Sequence, residues 1–420
     1  MIAVLNRRLA STAGVLIGLL VCTAGAQAAE NLVGSPLPPW APGTLDIHQI
    51  ATGRGNSALI VGPDGTSIMI DAGASAEALD VSCPPRPNAS RRPGEWIARY
   101  ALRHLRPTGR AQLDYFVATH LHPDHVGDVG SGTPPSRQGG YLLTGVTDVA
   151  EIIPIGTVID RGFPDYNYPS RWQTGFASSY FAFIAARTKS GGASEKIRVG
   201  AADQLRLRHA PAQFPSFVVR NIAANGSVWT GTGNDARSLV PPLGTLPPAD
   251  YPDENSCSIA LRVSYGKFDY YTGGDLACST RDGEQPWRDM ETPVAKITGA
   301  VEVAVANHHA YFDAVGPEAV RALQPLVWVV PVWHITHLNI AQLENMQSER
   351  LYSGPREILV TDLMPATALI DRRFLPKVKS TSGHIVVRVA PGGAEFRVFV
   401  TDNSDENDTV TAALGPYYCR

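Results

Sequence analysis

Three histidines and one aspartate fall within residues 120–125, in the segment THLHPDHVGD. The whole chain contains only 11 histidines, so their concentration here indicates a functional cluster. Imidazole and carboxylate groups are the ligands that suit Zn²⁺ and similar ions. We therefore predict that His120 and His122 bind one metal ion and that Asp124 and His125 bind a second.

The elements around this cluster must bring its side chains into one pocket. The segment LDYFVATH (113–120) has the composition of a buried strand and runs directly into the first histidine. Gly127 allows a tight turn behind the cluster, because glycine adopts backbone conformations that other residues avoid. Upstream, residues 45–73 alternate apolar and polar side chains around an Asp-Gly turn, which predicts two or three antiparallel strands.

Extended and helical patterns alternate through the rest of the chain. In each half, strands come first and strand–helix alternation follows, which favours a layered α/β fold with helices outside a pair of sheets. The predicted helices are 94–107, 316–325 and 340–352, and the predicted strands include 302–309, 326–332 and a hairpin around Gly392-Gly393.

The spacing HxHxDH resembles the signature of the metallo-β-lactamase superfamily. This resemblance implies a four-layer αββα sandwich and a later aspartate that bridges two metals, which Asp275 of TGGDL matches. It also implies a late histidine ligand, and either His308 or His309 of VANHHA can fill that role. Asp71 of MIDAG resembles the family's structural aspartate, which ties the metal loop in place.

Within the superfamily, the chain resembles the extracellular domain of ComEC-type DNA-uptake proteins and their stand-alone secreted relatives. The resemblance covers roughly residues 45 to 400 and rests on the segments already quoted, on NSCSIALRVSYGKFDYYTGGDL and on the late HITHLN. It implies hydrolysis of a phosphodiester, in nucleic acid or in a phosphodiester-bearing cell-surface polymer. In that setting Asp124 holds a metal and orients the attacking water, and His337 is a pocket residue that donates a proton or contacts phosphate.

The implied cofactor is Zn²⁺, as one or two ions, with Mn²⁺ as the alternative. Bound Zn²⁺ lowers the pKa of its water to about 7 and so provides hydroxide at neutral pH. Most two-zinc members carry a further histidine ligand between the first cluster and the bridging aspartate. Here only His209 lies in that interval, and its setting favours a surface or core role, which leaves the number of ions open.

The N-terminus has the pattern of a secretory signal peptide. Arg7 and Arg8 precede an apolar run at 13–21 and small residues at 24–29. The run is shorter than the ~20 residues needed to span a bilayer, so we expect no stable membrane insertion after cleavage. We expect the mature protein to be secreted or periplasmic.

The expected organisation has four parts. They are a signal peptide at 1–29, a Pro-rich lead-in at 30–44, a metallo-β-lactamase-fold domain at 45–402 with an irregular insertion at about 129–250, and an acidic tail at 403–420. Aromatic residues are dense at 161–183, where they either pack the insertion against the fold or stack on a substrate.

Other features leave alternatives open. Four cysteines follow the signal peptide, and they permit two disulfides or remain buried free thiols: Cys83, Cys257, Cys278 and Cys419. A net charge of −3 argues against a general nucleic-acid binder. The competing hypotheses are a hydrolase of small esters, lactones or β-lactams, and a non-catalytic DNA-binding or surface-binding protein with a depleted metal site. The sequence does not indicate an oligomeric state.

Overall fold

The structure is a computed structural model that describes residues 32–420. The predicted signal peptide, 1–29, lies outside the described residues. Residues 32–44 run as irregular chain, with Leu37 and Trp40 buried against the domain. No helix within the described range is long and apolar enough to cross a membrane.

Strands and helices alternate through the described chain. The strands are β1 (Leu45–Gln49), β2 (Ala58–Val61), β3 (Ser67–Ile70), β4 (Leu113–Val117), β5 (Ile155–Asp160), β6 (Ala193–Lys196), β7 (Phe217–Ala224), β8 (Ser227–Trp229), β9 (Ala236–Ser238), β10 (Ala260–Tyr265), β11 (Phe268–Thr272), β12 (Val303–Val305), β13 (Val327–Val330), β14 (Glu357–Val360), β15 (Val378–Ser380), β16 (His384–Val389), β17 (Glu395–Thr401) and β18 (Val410–Tyr418). The α-helices are α1 (Pro93–Leu105), α2 (Pro123–Val126), α3 (Val146–Ile152), α4 (Gly175–Lys189), α5 (Glu291–Thr298), α6 (Pro317–Leu323), α7 (Ile340–Gln347) and α8 (Pro365–Asp371).

The strands form two nine-stranded sheets. The first has the order β18-β17-β16-β1-β2-β3-β4-β5-β6, and the second has the order β15-β14-β13-β12-β11-β10-β7-β8-β9. Each sheet is antiparallel on one side and parallel on the other, with the change at β3 in the first sheet and at β11 in the second. Parallel strands need crossover connections, and these contain the helices.

Three apolar clusters define the layers. One lies between the sheets and joins side chains of both, such as Ile60 and Leu261. A second packs the outer face of the first sheet against α1, α3 and α4, and a third packs the second sheet against α5, α6 and α7. Along β2, Ile60 points between the sheets while Leu59 points to the helices, as the alternation of a strand requires. The predicted four-layer αββα sandwich is confirmed.

Most predicted elements are present with shorter bounds. The three predicted helices correspond to α1, α6 and α7, and the antiparallel strands of 45–73 are β1, β2 and β3. The predicted strand 302–309 ends earlier, at Val305, and its two histidines lie in a turn instead. The four cysteines of the described chain are free thiols, so the structure has the second of the two alternatives that the sequence left open.

The prediction of a solvated acidic tail at 403–420 was wrong. Strand β18 pairs antiparallel with β17 along the edge of the first sheet, and Cys419 after it is buried. The acidic residues before it are neutralised by α1, where Arg103 contacts both Glu406 at 2.6 Å and Asp408 at 3.0 Å. The negative charges therefore attach this segment to the domain.

The insertion at 129–250 is more regular than predicted. It contributes α3, β5, α4 and β6 to one half of the sandwich and β7, β8 and β9 to the other. Four of its aromatic residues pack into or against the helix-covered core of the first sheet: Phe163, Tyr166, Tyr180 and Phe181. For these residues the packing interpretation is confirmed.

Candidate metal centre

The histidine cluster sits at the carboxyl end of β4. The strand ends at Val117, and the chain then passes His120 and His122 before entering the single turn of α2. Gly127 follows α2 with a φ of 104°, and a Cβ atom there would lie 2.7 Å from the backbone nitrogen of Gly145. Both the conformation and the space require glycine, as the sequence predicted.

The structure brings six of the seven predicted metal ligands into two groups. One group contains Asp124, His125, Asp275 and His309, and the other contains His120, His122 and Asp275. Within each group the ligand atoms all lie within 4.8 Å of one another. Asp275 belongs to both groups, which is the bridging position that the sequence resemblance assigned to it.

The two carboxylate oxygens of Asp275 face different groups. Oδ1 lies 3.1 Å from His125 Nε2 and 3.6 Å from His309 Nε2. Oδ2 lies 3.6 Å from His120 Nε2, which in turn lies 3.0 Å from His122 Nδ1. Asp124 completes the first group, with Oδ2 3.1 Å from His309 Nε2.

The chemistry of these donors fits a pair of divalent cations. The buried Nε2 atoms of His125 and His309 have no hydrogen-bond partner, although both face the shared carboxylate. An unpaired buried polar atom is costly, and a bound cation removes that cost. Imidazole with carboxylate is the ligand set of zinc, iron and manganese sites, so the residues present fit such an ion.

Hydrogen bonds behind the ligands fix their orientation. Asp71 Oδ2 lies 2.7 Å from His125 Nδ1 and also accepts the hydroxyl of Thr119. His309 Nδ1 lies 2.7 Å from the carbonyl oxygen of Pro331. Such partners hold one ring nitrogen so that the other faces the metal. Asp71 thus occupies the structural position that its resemblance predicted.

Burial and charge set the protonation of the cluster. Burial lowers the pKa of His120 well below its usual value. Burial also opposes the charge on His125, but Asp275, Asp124 and Asp71 outweigh it and raise the pKa of that ring. The metal-free ring therefore carries a proton at neutral pH, and a metal ion must displace it. We infer that metal binding strengthens as pH rises.

His308 and His337 border the two groups. His308 Nε2 lies 3.8 Å from Asp275 Oδ2, and its Nδ1 lies 2.7 Å from Asp313 Oδ1. The His337 ring stacks on that of His309, with centroids 4.5 Å apart and planes 9° from parallel. Of the adjacent pair, His309 belongs to one group and His308 belongs to neither.

His209 lies away from both groups, as its setting predicted. Its Nε2 is 3.1 Å from Asp114 Oδ2, and its backbone nitrogen donates to Asp64. His209 therefore adds no ligand to either group.

Sequence reasoning missed several residues that shape the centre. Glu254 accepts the backbone N–H of Leu121, between the first two ligands, and pairs with buried Arg161. Trp172 lies with its ring centroid 5.4 Å from that of His122. Trp172 was within the predicted aromatic segment, but no local pattern distinguishes it from neighbours that pack inward.

Glu291 positions the turn that carries His308 and His309. It is buried, and it accepts hydrogen bonds from the Asn307 side chain at 3.0 Å and from the backbone nitrogens of Val315 and Gly316. Burial raises the pKa of Glu291 to about 7. Glu291 therefore links helix α5 to both ends of the turn that carries the two histidines.

This raised pKa predicts a loss of stability with increasing pH. The folded state retains the Glu291 proton up to about pH 7, whereas the unfolded chain releases it near 4.5. The contribution of protonated Glu291 to the free energy of unfolding is therefore full below pH 4.5. It declines as pH rises through 7, by at most about 3 kcal/mol in total. Urea unfolding between pH 5 and 8 should give a steeper decline for wild type than for Glu291→Gln. Parallel curves would contradict this assignment.

The family model that matches this chain covers the segment that carries the first four ligands. The family model of the metallo-beta-lactamase superfamily matches residues 51–132, which include β2, β3, α1, β4 and the histidine cluster. No curated protein matches the chain significantly. Among solved structures, the chain is similar to that of a point mutant of CmlA beta-hydroxylase, with 12% identity and a TM-score of 0.38, over 84% of this chain.

The chain spans only about half of that structure, 54% of its length. The fold assignment therefore rests on the two sheets, their order and the three apolar clusters. On that basis the chain has the αββα sandwich of the metallo-β-lactamase type, and its family match lies over the strand and loop that carry the first four ligands.

Proposed function

We propose that this chain is a metal-dependent hydrolase that cleaves phosphodiester bonds, in nucleic acid or in a phosphodiester-bearing surface polymer. The observation that carries the proposal is the pair of ligand groups joined by Asp275, with buried imidazole nitrogens that lack hydrogen-bond partners. The resemblance to ComEC-type domains supports the phosphodiester, and the N-terminal pattern supports a secreted or periplasmic protein.

The ligands that would hold one ion are His120, His122 and Asp275, and those for the other are Asp124, His125, His309 and Asp275. Divalent ions bound there supply an activated water and neutralise charge that develops on the substrate. Burial keeps Asp275 in a dry environment, where four histidines lower its pKa and hold it ionised. The carboxylate is therefore ready to bind a cation without first losing a proton.

Two side chains of the centre could contact the substrate or its attacking water: His337, which lies beside the groups, and Asp124, which belongs to one of them. Burial lowers the pKa of His337 well below its usual value, so its neutral ring suits hydrogen-bond donation better than proton donation. Asp124 lies at the edge of its group and is 15% exposed, so it can orient a water as well as bind an ion. We assign His337 to positioning His309 and contacting phosphate.

Aromatic rings near the centre support a substrate that carries flat groups. Trp172 lies beside His122, and the ring of Tyr311 has its centroid 5.1 Å from that of His308. Phe312, next to Tyr311, is 60% exposed. Bases and sugars stack on such side chains, and this stacking adds about 1–3 kcal/mol per base in single-strand binders.

The test is metal content measured beside hydrolysis of bis-p-nitrophenyl phosphate. The zinc- or manganese-loaded protein should hold two ions per chain and hydrolyse this substrate. His122→Ala removes a ligand and should lower turnover by about 100-fold or more. His334→Ala is the matched control, because that histidine pairs with Glu77 and belongs to neither ligand group. Trp172→Ala is a separate substrate-binding variant, because it removes a ring beside His122 that offers no ligand atom.

Trp172→Ala should keep wild-type metal content and turnover of the small diester while weakening cleavage of an oligonucleotide. A protein that binds two ions yet hydrolyses neither the diester nor single-stranded oligonucleotides would contradict the phosphodiester assignment. A protein that binds no metal would contradict the hydrolase assignment itself.

A further inference from the structure

The adjacent residues His308 and His309 lie in a turn with unusual backbone geometry. Their φ angles are 47° and 53°, and Ala310 after them has a φ of 57°. The left-handed conformation is unfavourable for residues other than glycine, and such conformations persist where the surroundings fix them. Here His308 N donates to Gly274 O at 3.0 Å, directly beside Asp275.

This turn sends the two imidazoles to opposite oxygens of one carboxylate. His309 Nε2 lies 3.6 Å from Asp275 Oδ1, the oxygen that also faces His125. His308 Nε2 lies 3.8 Å from Asp275 Oδ2, the oxygen that faces His120. Each histidine of the pair therefore accompanies a different ligand group.

His308 also has the hydrogen-bonding arrangement of the other ligands. Asp313 Oδ1 lies 2.7 Å from its Nδ1, so Nδ1–H donates to the carboxylate and Nε2 is turned toward Asp275. The rings of His125 and His309 are held in the same way, by Asp71 and by Pro331 O. A carboxylate behind an imidazole is the usual support of a metal ligand.

We propose that His308 is the fourth protein ligand of the ion held by His120, His122 and Asp275. The inference rests on the proposed metal-dependent function and adds a ligand to it. In this chain, the adjacent histidines divide between the two ions, and His308 takes the place of the histidine that the interval before Asp275 lacks. His308 lies outside the compact group, next to its member Asp275.

In the absence of a metal ion, the side chain of Asn255 contacts His308 Nε2. Its Nδ2 lies 3.3 Å away, and its buried Oδ1 has no hydrogen-bond partner. An amide that contacts this nitrogen must give way when an ion binds. The contact between Asn255 Nδ2 and His308 Nε2 is long, at 3.3 Å, so an ion can replace it at this nitrogen.

The test is Zn²⁺ titration of metal-free full chains, with the ions per chain and each Kd measured by calorimetry and elemental analysis. Wild type should bind two ions. His308→Ala should keep one tight ion and bind the other at least tenfold more weakly. His334→Ala is the matched control, because that histidine pairs with Glu77 and belongs to neither group.

Double variants identify which ion His308 serves. His122→Ala/His308→Ala should bind one ion with the Kd of His122→Ala alone, whereas His309→Ala/His308→Ala should bind none tightly. His308→Gln is measured in parallel, because it keeps a polar side chain toward Asp313 if the alanine variant does not fold. Two ions with wild-type Kd values in a folded His308 variant would overturn the assignment and leave the hydrolase proposal intact. A wild-type protein without metal would overturn both.

Discussion

Asp275→Asn is expected to lower the proposed phosphodiester hydrolysis by about a thousandfold or more and to leave less than one tightly bound ion per chain. Asp275 is the one residue common to both ligand groups of the described chain, and it is 3% exposed. Replacing its carboxylate by an amide removes the negative charge between the ions and one oxygen ligand. Each ion stabilises the transition state by several kcal/mol, so the loss of both gives an effect of this size.

A second consequence follows for the metal-free protein. The carboxylate of Asp275 is the largest of the charges that raise the pKa of His125. With an amide in its place, the buried His125 ring retains Asp124 and Asp71 but loses its nearest partner on Nε2, at 3.1 Å. Its pKa should fall, which NMR titration of the imidazole can measure in the absence of metal.

Asp128→Asn is the matched control for Asp275→Asn. It makes the same substitution close to the histidine cluster, but Asp128 caps the backbone of Val129 and belongs to neither ligand group. This variant should keep two ions and wild-type turnover. Retention of two tightly bound ions in Asp275→Asn would show that this aspartate does not bridge them.

The first ligands were predictable because their signal is local. A buried strand that ends shortly before His120, a proline that starts the next turn and a glycine behind it follow within about ten residues of sequence. Local propensity and close ligand spacing then indicate the same site. Asp275 was assigned from the family resemblance instead, because TGGDL follows the hairpin of β10 and β11 as the bridging aspartate of the family follows a strand.

The choice between His308 and His309 could not be made from sequence. The choice depends on three successive residues with left-handed backbone conformation, His308, His309 and Ala310. None of them is a glycine or asparagine, the residues whose presence would predict such a conformation. Long-range contacts fix the turn instead, through Glu291 and Gly274. A strand prediction that extended over both histidines therefore exceeded the true strand by four residues at its end.

Strand β18 was missed for a related reason. Its residues, VTAALGPYY, contain a glycine and a proline and follow a strongly acidic stretch, so they resemble a solvated tail. Pairing with β17 and the ion pairs from Arg103 to Glu406 and Asp408 override that local preference. Arg103 lies about 300 positions before its acidic partners, so the sequence around Glu406 and Asp408 gives no sign of these ion pairs.

Glu254→Ala is expected to reduce the free energy of unfolding by about 3–5 kcal/mol, because it leaves a buried charge without its partner. Arg161 and Glu254 are 4% and 3% exposed, and the guanidinium contacts both carboxylate oxygens. Arg161 retains only the carbonyl of Tyr168 and the side chain of Asn225, which are neutral acceptors. Chemical denaturation of the metal-free protein measures the change.

Glu254→Ala should also weaken metal binding. Glu254 Oε1 accepts the backbone N–H of Leu121 at 2.7 Å, and Leu121 lies between the ligands His120 and His122. Without this acceptor the buried N–H has no partner, so the loop loses a contact that fixes both rings. Zinc affinity of the group containing His120 should fall by about 10–100-fold, as when a supporting residue of a metal site is removed.

The double variant Arg161→Met/Glu254→Leu separates charge burial from loop support. Replacing both charges by apolar side chains removes the desolvation cost, so its stability should exceed that of Glu254→Ala by several kcal/mol. It still lacks an acceptor for Leu121, so its zinc affinity should remain low. If the double variant recovers zinc affinity along with stability, the hydrogen bond to Leu121 does not position the ligands, and global stability alone accounts for the loss.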